Sequence, residues 1–323
     1  MKSKFYIFCL FFIGLTACEQ EVEIDVPDTE TQYVVEGYIE KDIPPFIILT
    51  RTTPYFSPIS LESIEKSFVH DATITVNNGA NTDTLVEISS DTLVSLIAYI
   101  EDSLGVDIDI SQLLDADIQS LIGSGVKYYV YTTLGMFGEE GKSYELKVEL
   151  PQKTLTAITT IPVAIPLDSL WITSHPNSDY DSLVLLNVRF SDPPGRDNFV
   201  RYFTQRNREL FNPGYFQSVF DDHSIVDVDG QSINFTLERG YSFVEDIDFN
   251  TFSYFVRGDT IRVRWCMIDE AHYDFWSTLE YDRSQTGNPF GRPASIKSNI
   301  NGGLGVWGGY GSSYHQLITE PLK

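Results

Sequence analysis

Short runs of alternating apolar and polar residues recur along this chain, each closed by a turn signal a few positions later. Side chains of a strand point alternately to its two faces, so such runs specify half-buried β-strands. In the first half the pattern occupies Tyr33–Glu40, Phe46–Arg51, 72–76, 84–88, 126–133 and Ser143–Leu150. Pro44-Pro45 and Asn77-Asn78-Gly79 mark turns, and Gly37 offers a site for a bulge. The Asn-Asn-Gly turn predicts that 72–76 and 84–88 form a hairpin. The second half repeats the pattern at 183–190, 198–206, 233–237 and 260–268. Asp192-Pro193-Pro194-Gly195 predicts that its first two strands are antiparallel neighbours. The fold class expected is mainly β, with two antiparallel β-sandwich-like domains, 32–161 and 167–323. They meet near Pro162 and Pro166.

Two stretches depart from this period. Residues 91–121 place Leu93, Leu96, Ile97 and Ile100, then Leu113, Leu114, Ile118 and Leu121, at helical spacings. Asp91 and Ser111 are suited to N-capping, so a helical hairpin inserted in the first domain is expected over about 91–122. Its acids, among them Glu101, Asp102, Asp107, Asp109, Asp115 and Asp117, do not follow the EF-hand spacing and read as a solvated face. Residues 269–284 predict a short helix near the C-terminus, with His272, Phe275, Trp276 and Leu279 on its buried side. Residues 287–314 are rich in Gly, Asn and Ser, and 303–310 read as a glycine-bearing strand.

The N-terminus determines where such a chain would reside. Lys2 and Lys4 precede an apolar stretch from Phe5 to Leu15, which is too short to span a bilayer. Leu15-Thr16-Ala17-Cys18 resembles the bacterial lipobox. That resemblance implies a signal peptide over 1–17 and a multiply acylated (palmitate-bearing) Cys18, because one chain anchors only weakly. Residues 18–31 read as an acidic tether, with Glu19, Glu21, Glu23 and Asp25 directly behind the cysteine. Acids there resemble the surface-export signal of lipoproteins in the Bacteroidota; a plain solvated tether is the competing reading. Loss of Lys2 and Lys4 takes the net charge from −24 to −26. So acidic a chain repels nucleic acid, and its charge argues against lying on an anionic membrane through basic contacts.

Candidate chemistry is sparse. Asp221, Asp222, His223, Asp227 and Asp229 form the densest group of possible metal ligands, and they equally describe a solvated acidic loop. The histidines at 70, 175, 223, 272 and 315 do not adopt the two-His spacing of a metalloprotease helix. No Gly-x-Ser-x-Gly elbow is present. Gly302-Gly303-Leu304-Gly305 lacks the Lys-Ser/Thr of a phosphate loop, and no cofactor is expected. With Cys9 in the signal and Cys18 acylated, Cys266 has no disulfide partner and reads as a small buried hydrophobe. Aromatic clusters at 211–216 and 241–255 suit a core or interface, or a peptide- or glycan-binding surface.

The segment Asn288-Pro289-Phe290, followed by Pro293 to Tyr310 with its Ser298-Asn299-Ile300-Asn301-Gly302-Gly303 centre, resembles the C-terminal signature of a Bacteroidota lipoprotein family, domain of unknown function 4249. Tyr33 to Ile39, Arg51-Thr52-Thr53-Pro54-Tyr55 and Pro166-Leu167-Asp168-Ser169-Leu170 resemble its first strand, the end of its second strand and its mid-chain junction. The insertion at 91–121 departs from the family pattern. The resemblance implies a non-enzymatic, outer-membrane lipoprotein, facing the cell exterior, that partners a TonB-dependent receptor in uptake or outer-membrane assembly. It transfers no site residues. Direct capture of a peptide or glycan is the alternative, and a hydrolase with an unrecognised site is a third.

Overall fold

The computed structural model describes residues 30–54, 57, 58, 60–92, 95, 127–195, 197–222, 229–241, 248, 250–285 and 295–320. Cys18, the signal, nearly all of the tether and most of the expected helical hairpin lie outside these residues. Of the hairpin, residues 91, 92 and 95 are described, and they are helical.

The strands follow in chain order: β1 (Tyr33–Glu40), β2 (Phe46–Arg51), β3 (Thr73–Asn77), β4 (Thr82–Thr84), β5 (Val86–Ser89), β6 (Tyr129–Thr132), β7 (Ser143–Leu150), β8 (Lys153–Thr160), β9 (Ser169–Ser174), β10 (Leu183–Ser191), β11 (Phe199–Arg206), β12 (Asn212–Pro213), β13 (Val219–Asp221), β14 (Ser232–Leu237), β15 (Phe255–Val256), β16 (Thr260–Ile268) and β17 (Leu304–Ile318). The α-helices Leu61–Glu65 and Glu270–Ser284 accompany them among the described residues. The protein is mainly β and sandwich-like, as its alternation predicts.

One large sheet runs in the order β12-β11-β16-β17-β1-β2-β6-β5, with β13 also on β11. Two smaller sheets accompany it, β4-β3-β7-β8 and β14-β10-β15 with β9 on β10. The two small sheets lie on the same face of the large one. This follows from the alternation along β17. Trp307 donates its indole Nε1 to the Tyr144 carbonyl at 3.0 Å, and the Gly309 amide donates to Thr159 Oγ1 at 2.7 Å. Farther along the same face, His315 Nε2 accepts from the Leu167 amide at 3.2 Å, and Leu317 packs on the second core. Val306 and Tyr310 point the other way, against the helix Glu270–Ser284.

Each small sheet thus closes its own core. Ile74, Val76, Leu146, Val148 and Leu155 meet Val35, Ile39, Ile47 and Trp307 in the first. Val184, Leu186 and Val188 meet Tyr202, Val263 and Trp265 in the second. The segment around Pro162 and Pro166 passes between the two cores, while the large sheet continues across both halves. The join is a parallel pair: β1 lies along the first half of β17, from Val34 opposite Leu304 to Glu40 opposite Tyr310. The remaining named pairings are antiparallel.

Several local expectations change. The run 84–88 does not form one hairpin strand. β4 pairs with β3, the chain switches sheets at Leu85, and β5 pairs with β6. Leu85 itself is buried in the first core, which holds the switch point in place. β11 is not the hydrogen-bonded neighbour of β10; it pairs with β16 and faces β10 across the second core. β8, for which the sequence offered no strand, adds Lys153–Thr160 to the first small sheet. Gly37 makes no bulge, since its ladders to β2 and β17 are unbroken. The glycine-bearing strand is longer than expected, reaching Ile318.

Its glycines permit close approach. Gly305 has φ +102, and a Cβ there would overlap the Val35 carbonyl oxygen on β1. Gly305→Ala therefore meets both a left-handed backbone and a steric clash in the strand pair that joins the halves. We expect a loss of about 2 kcal/mol or more, read as a lower urea midpoint.

Candidate functional site

Beneath the long helix the large sheet carries a set of buried charges. Arg201 and Phe203 on β11, Arg264 on β16, and Tyr310 and Tyr314 on β17 face it together with Glu40 at the end of β1. These lie where alternation places core residues, so each charge must find a partner. Arg264 Nη2 donates to Glu40 Oε2, and Tyr314 donates its hydroxyl to Glu40 Oε1 at 2.8 Å. Burial works against the Arg264 charge, but the Glu40 carboxylate together with Tyr314, Cys266 and Tyr310 outweighs it and holds Arg264 firmly protonated. Arg201 lies 3.4 Å over the Trp276 ring and 4.6 Å from Phe203, and donates to the Tyr310 hydroxyl at 2.6 Å.

The helix is held at its start by Asp269. Its Oδ1 accepts the His272 amide at 2.9 Å, as an N-cap does. Its Oδ2 accepts from Thr159 Oγ1 at 2.6 Å and the Thr160 amide at 3.0 Å, which ties the helix to β8. His272 is buried against Gly308 and Tyr310. Burial pushes its pKa down to about 4, with the Arg201 and Arg264 charges adding to the shift and Asp269 opposing it.

This buried set supports a surface. Glu280, near the end of the helix, accepts from the Ser218 amide at 2.9 Å and from the Ser218 hydroxyl. Arg201 Nε also reaches Ser218 Oγ, at 3.4 Å. Glu238 accepts the Phe216 amide at 3.4 Å. Burial raises the pKa of both carboxyls. The loop between β12 and β13 is thereby pinned at two amides, and it holds Phe216 outward at 50% exposure. Phe216 meets Tyr215 edge-on at 5.1 Å and Phe252 at 5.3 Å. Two residues past Phe252, Tyr254 lies 4.4 Å from His175, which meets Tyr180 at 5.0 Å. Among the described residues, the two aromatic clusters expected from sequence thus come together, partly in the core (Phe211, Tyr241 and Phe255 are buried) and partly in this half-buried group around exposed Phe216.

The acidic candidates are divided. His223 and Asp227 lie outside the described residues. Asp221 accepts the Tyr273 hydroxyl, Asp222 the Asn198 amide at 3.5 Å, and Asp229 the Gly195 amide at 2.7 Å. Asp192, which sequence reading passed over, joins them by accepting the Gly230 amide at 3.2 Å. Burial raises its carboxyl pKa, and Asp222 and Asp229 add to that shift. These acids tie loops. The cavity beside Asp192, Asp222 and Trp265 measures about 20 Å³, room for about one water. Among the described residues, no group of three or more His, Cys, Asp or Glu is arranged to hold a metal.

The other singled-out residues are structural. Cys266 is buried beside Ser312, and burial pushes its thiol up to about 11, far from a reactive thiolate. His70 contacts Glu87, and His175 packs among tyrosines. Gly302 and Gly305 shape the entry to β17. Sequence reading missed Arg201, Arg264, Glu40 and Glu280. A signal existed, an arginine inside each of two strongly apolar strands, but Glu40 lies 224 positions from Arg264.

Fold and surface together define a mainly β protein with two sandwich-like cores on a shared sheet and an exposed aromatic loop braced from below. The chain belongs to the family described as Domain of unknown function (DUF4249), whose family model matches residues 19–315. No curated protein and no solved structure matches it.

The brace has a pH signature. His272 binds its proton at about 4 when folded and about 6.5 when unfolded. Its neutral burial therefore adds stability above pH 6.5, and this is lost as pH falls towards 4. Glu280, raised by burial, acts with the opposite sign, but it is common to wild type and a His272→Gln variant. The stability difference between the two should shift by about 3 kcal/mol against the wild type between pH 7 and pH 4, measured by denaturant titration.

Proposed function

We propose that this protein is a lipid-anchored outer-membrane component, facing the cell exterior, that docks on a TonB-dependent receptor in uptake or outer-membrane assembly. Cys18 carries the anchor and the aromatic group around Phe216 is the docking surface. The observation that carries the docking reading is Phe216, exposed on a braced loop between the half-buried rings of Tyr215 and Phe252. Exposed aromatic groups are the side chains most often used as interface anchors, and a loop fixed beforehand loses less freedom on binding. Membership of the family supports the location, because the family resemblance implies outer-membrane lipoproteins beside such receptors. A lipid tether raises local concentration, so a modest interface suffices. The reading is non-enzymatic. The same rings could stack on a sugar or a peptide, and saturable binding by the purified protein without a receptor would favour that second reading.

Cys18→Ala should move the protein out of the outer-membrane fraction or leave its signal uncleaved. A correctly processed variant that remained membrane-bound would refute the anchor. Phe216→Asp should weaken recovery of a β-barrel partner from detergent-solubilised membranes about thirtyfold, the scale of a hot-spot residue. Unchanged recovery would remove the aromatic surface from the docking role.

A further inference from the structure

Where the body begins, the surface holds an open groove of about 690 Å³. Tyr33, Arg51, Thr52, Thr53, Ser63 and Lys66 are among the residues that line it. Its walls come from three separate pieces of chain that are bonded to one another. The Gln32 amide donates to Thr52 Oγ1 at 3.0 Å and the Thr52 amide to the Gln32 carbonyl at 2.9 Å. The Arg51 amide donates to the Ser67 carbonyl at 2.9 Å. The groove is therefore formed before anything enters it.

Its chemistry differs from that of the chain as a whole. Acids outnumber bases 46 to 22 in the sequence, yet among the described residues that line the groove none is acidic and two are cations. Arg51 is exposed. Lys66 meets Glu62 at 2.5 Å, but both side chains are largely exposed, so that pair is weak and exchangeable. Around the cations stand hydroxyl groups; those of Ser63 and Ser67 already donate to the Ser60 and Ile64 carbonyls, which leaves Thr31, Thr52, Thr53 and Ser57 to donate to a ligand. A planar guanidinium, an ammonium and several hydroxyls fit an oxyanion on a polar carrier.

We propose that this groove binds a phosphate-bearing headgroup, drawn from the membrane to which the tether leads. The anion chemistry stands by itself; the membrane as its source rests on the lipid-anchor reading. Thr31 lines the groove, and a segment from Cys18 to Thr31 reaches no farther than about 45 Å when fully extended. The anchor thus keeps this side of the body near the bilayer. The net negative charge opposes approach, but at physiological salt charges beyond about 8 Å are largely screened. At headgroup distance Arg51 and Lys66 dominate, with Glu62 on Lys66 the acid that a bound anion displaces.

The test uses the full chain in neutral detergent and on vesicles, read by amide hydrogen exchange over residues 51–54 and 63–67. Vesicles of phosphatidylcholine with one third phosphatidylglycerol should slow exchange there relative to phosphatidylcholine alone. Glycerol 3-phosphate in detergent should do the same at higher concentration. Arg51→Gln with Lys66→Gln should weaken the glycerol phosphate effect about twenty-five-fold, about fivefold per cation, with unchanged thermal unfolding. Protection by glycerol phosphate or inorganic phosphate but not by the anionic vesicles would support the phosphate site and overturn the membrane source. No protection by any phosphate probe, or equal protection of the double variant, would overturn the proposal. The anchor reading is scored separately, by where Cys18→Ala fractionates.

Discussion

The parallel pairing of β1 with β17 is the contact on which the rest of this molecule depends. It places the first strand of the body beside the last and fuses the sheets of the two halves into one. β17 then serves both cores from one face and the helix from the other. Such a contact closes most of the chain into a loop, and its entropic cost is met only after many other contacts exist. The glycines of β17 permit that approach, and Trp307 fills the space on the first core's side.

The buried charges depend on that pairing. Glu40 ends β1 and Arg264 belongs to β16, so they meet only because β17 lies between the two strands. Removing one member of such a pair leaves the other buried and uncompensated, which makes the network sensitive to register. From Arg201 the same network extends through Ser218 and Glu280 to the loop that presents Phe216. A buried ionic cluster and an exposed aromatic surface are thus one mechanical unit. The groove at the start of the body is independent of it, built by the ends of β1 and β2 and the helix Leu61–Glu65.

How much of this was legible depended on the range of the interaction. Tyr33–Glu40, Phe46–Arg51, Ser143–Leu150 and the helix capped by Asp269 were readable because alternation, turn residues and caps act over a few positions. The hairpin at Asn77-Asn78-Gly79 was legible as a turn, but where its second strand ended was not. Leu85 turns into the first core, and the chain leaves β3 there to pair β5 with β6. The pairing of β10 with β11 was misread for a related reason: a short Pro-Gly connection can lead across a sandwich as readily as along a sheet. Of the candidate site, the aromatic residues were visible as clusters. Their division into a core group and a partly exposed group was decided by packing, and Asp221, Asp222 and Asp229 hold hydroxyl and amide donors of neighbouring segments, with Asp192 beside them.

The sequence by itself determined the strand periods, the helix near the C-terminus, the lone buried thiol at Cys266 and the family, because each is written in local pattern or in a linear signature. Tertiary structure alone decided which strands are neighbours, that the two halves share a sheet, and that Glu40 answers the buried Arg264. Alternation tells a strand which face to bury, but every strand of the same period satisfies that demand equally. The choice among partners is made by burying the whole set at once.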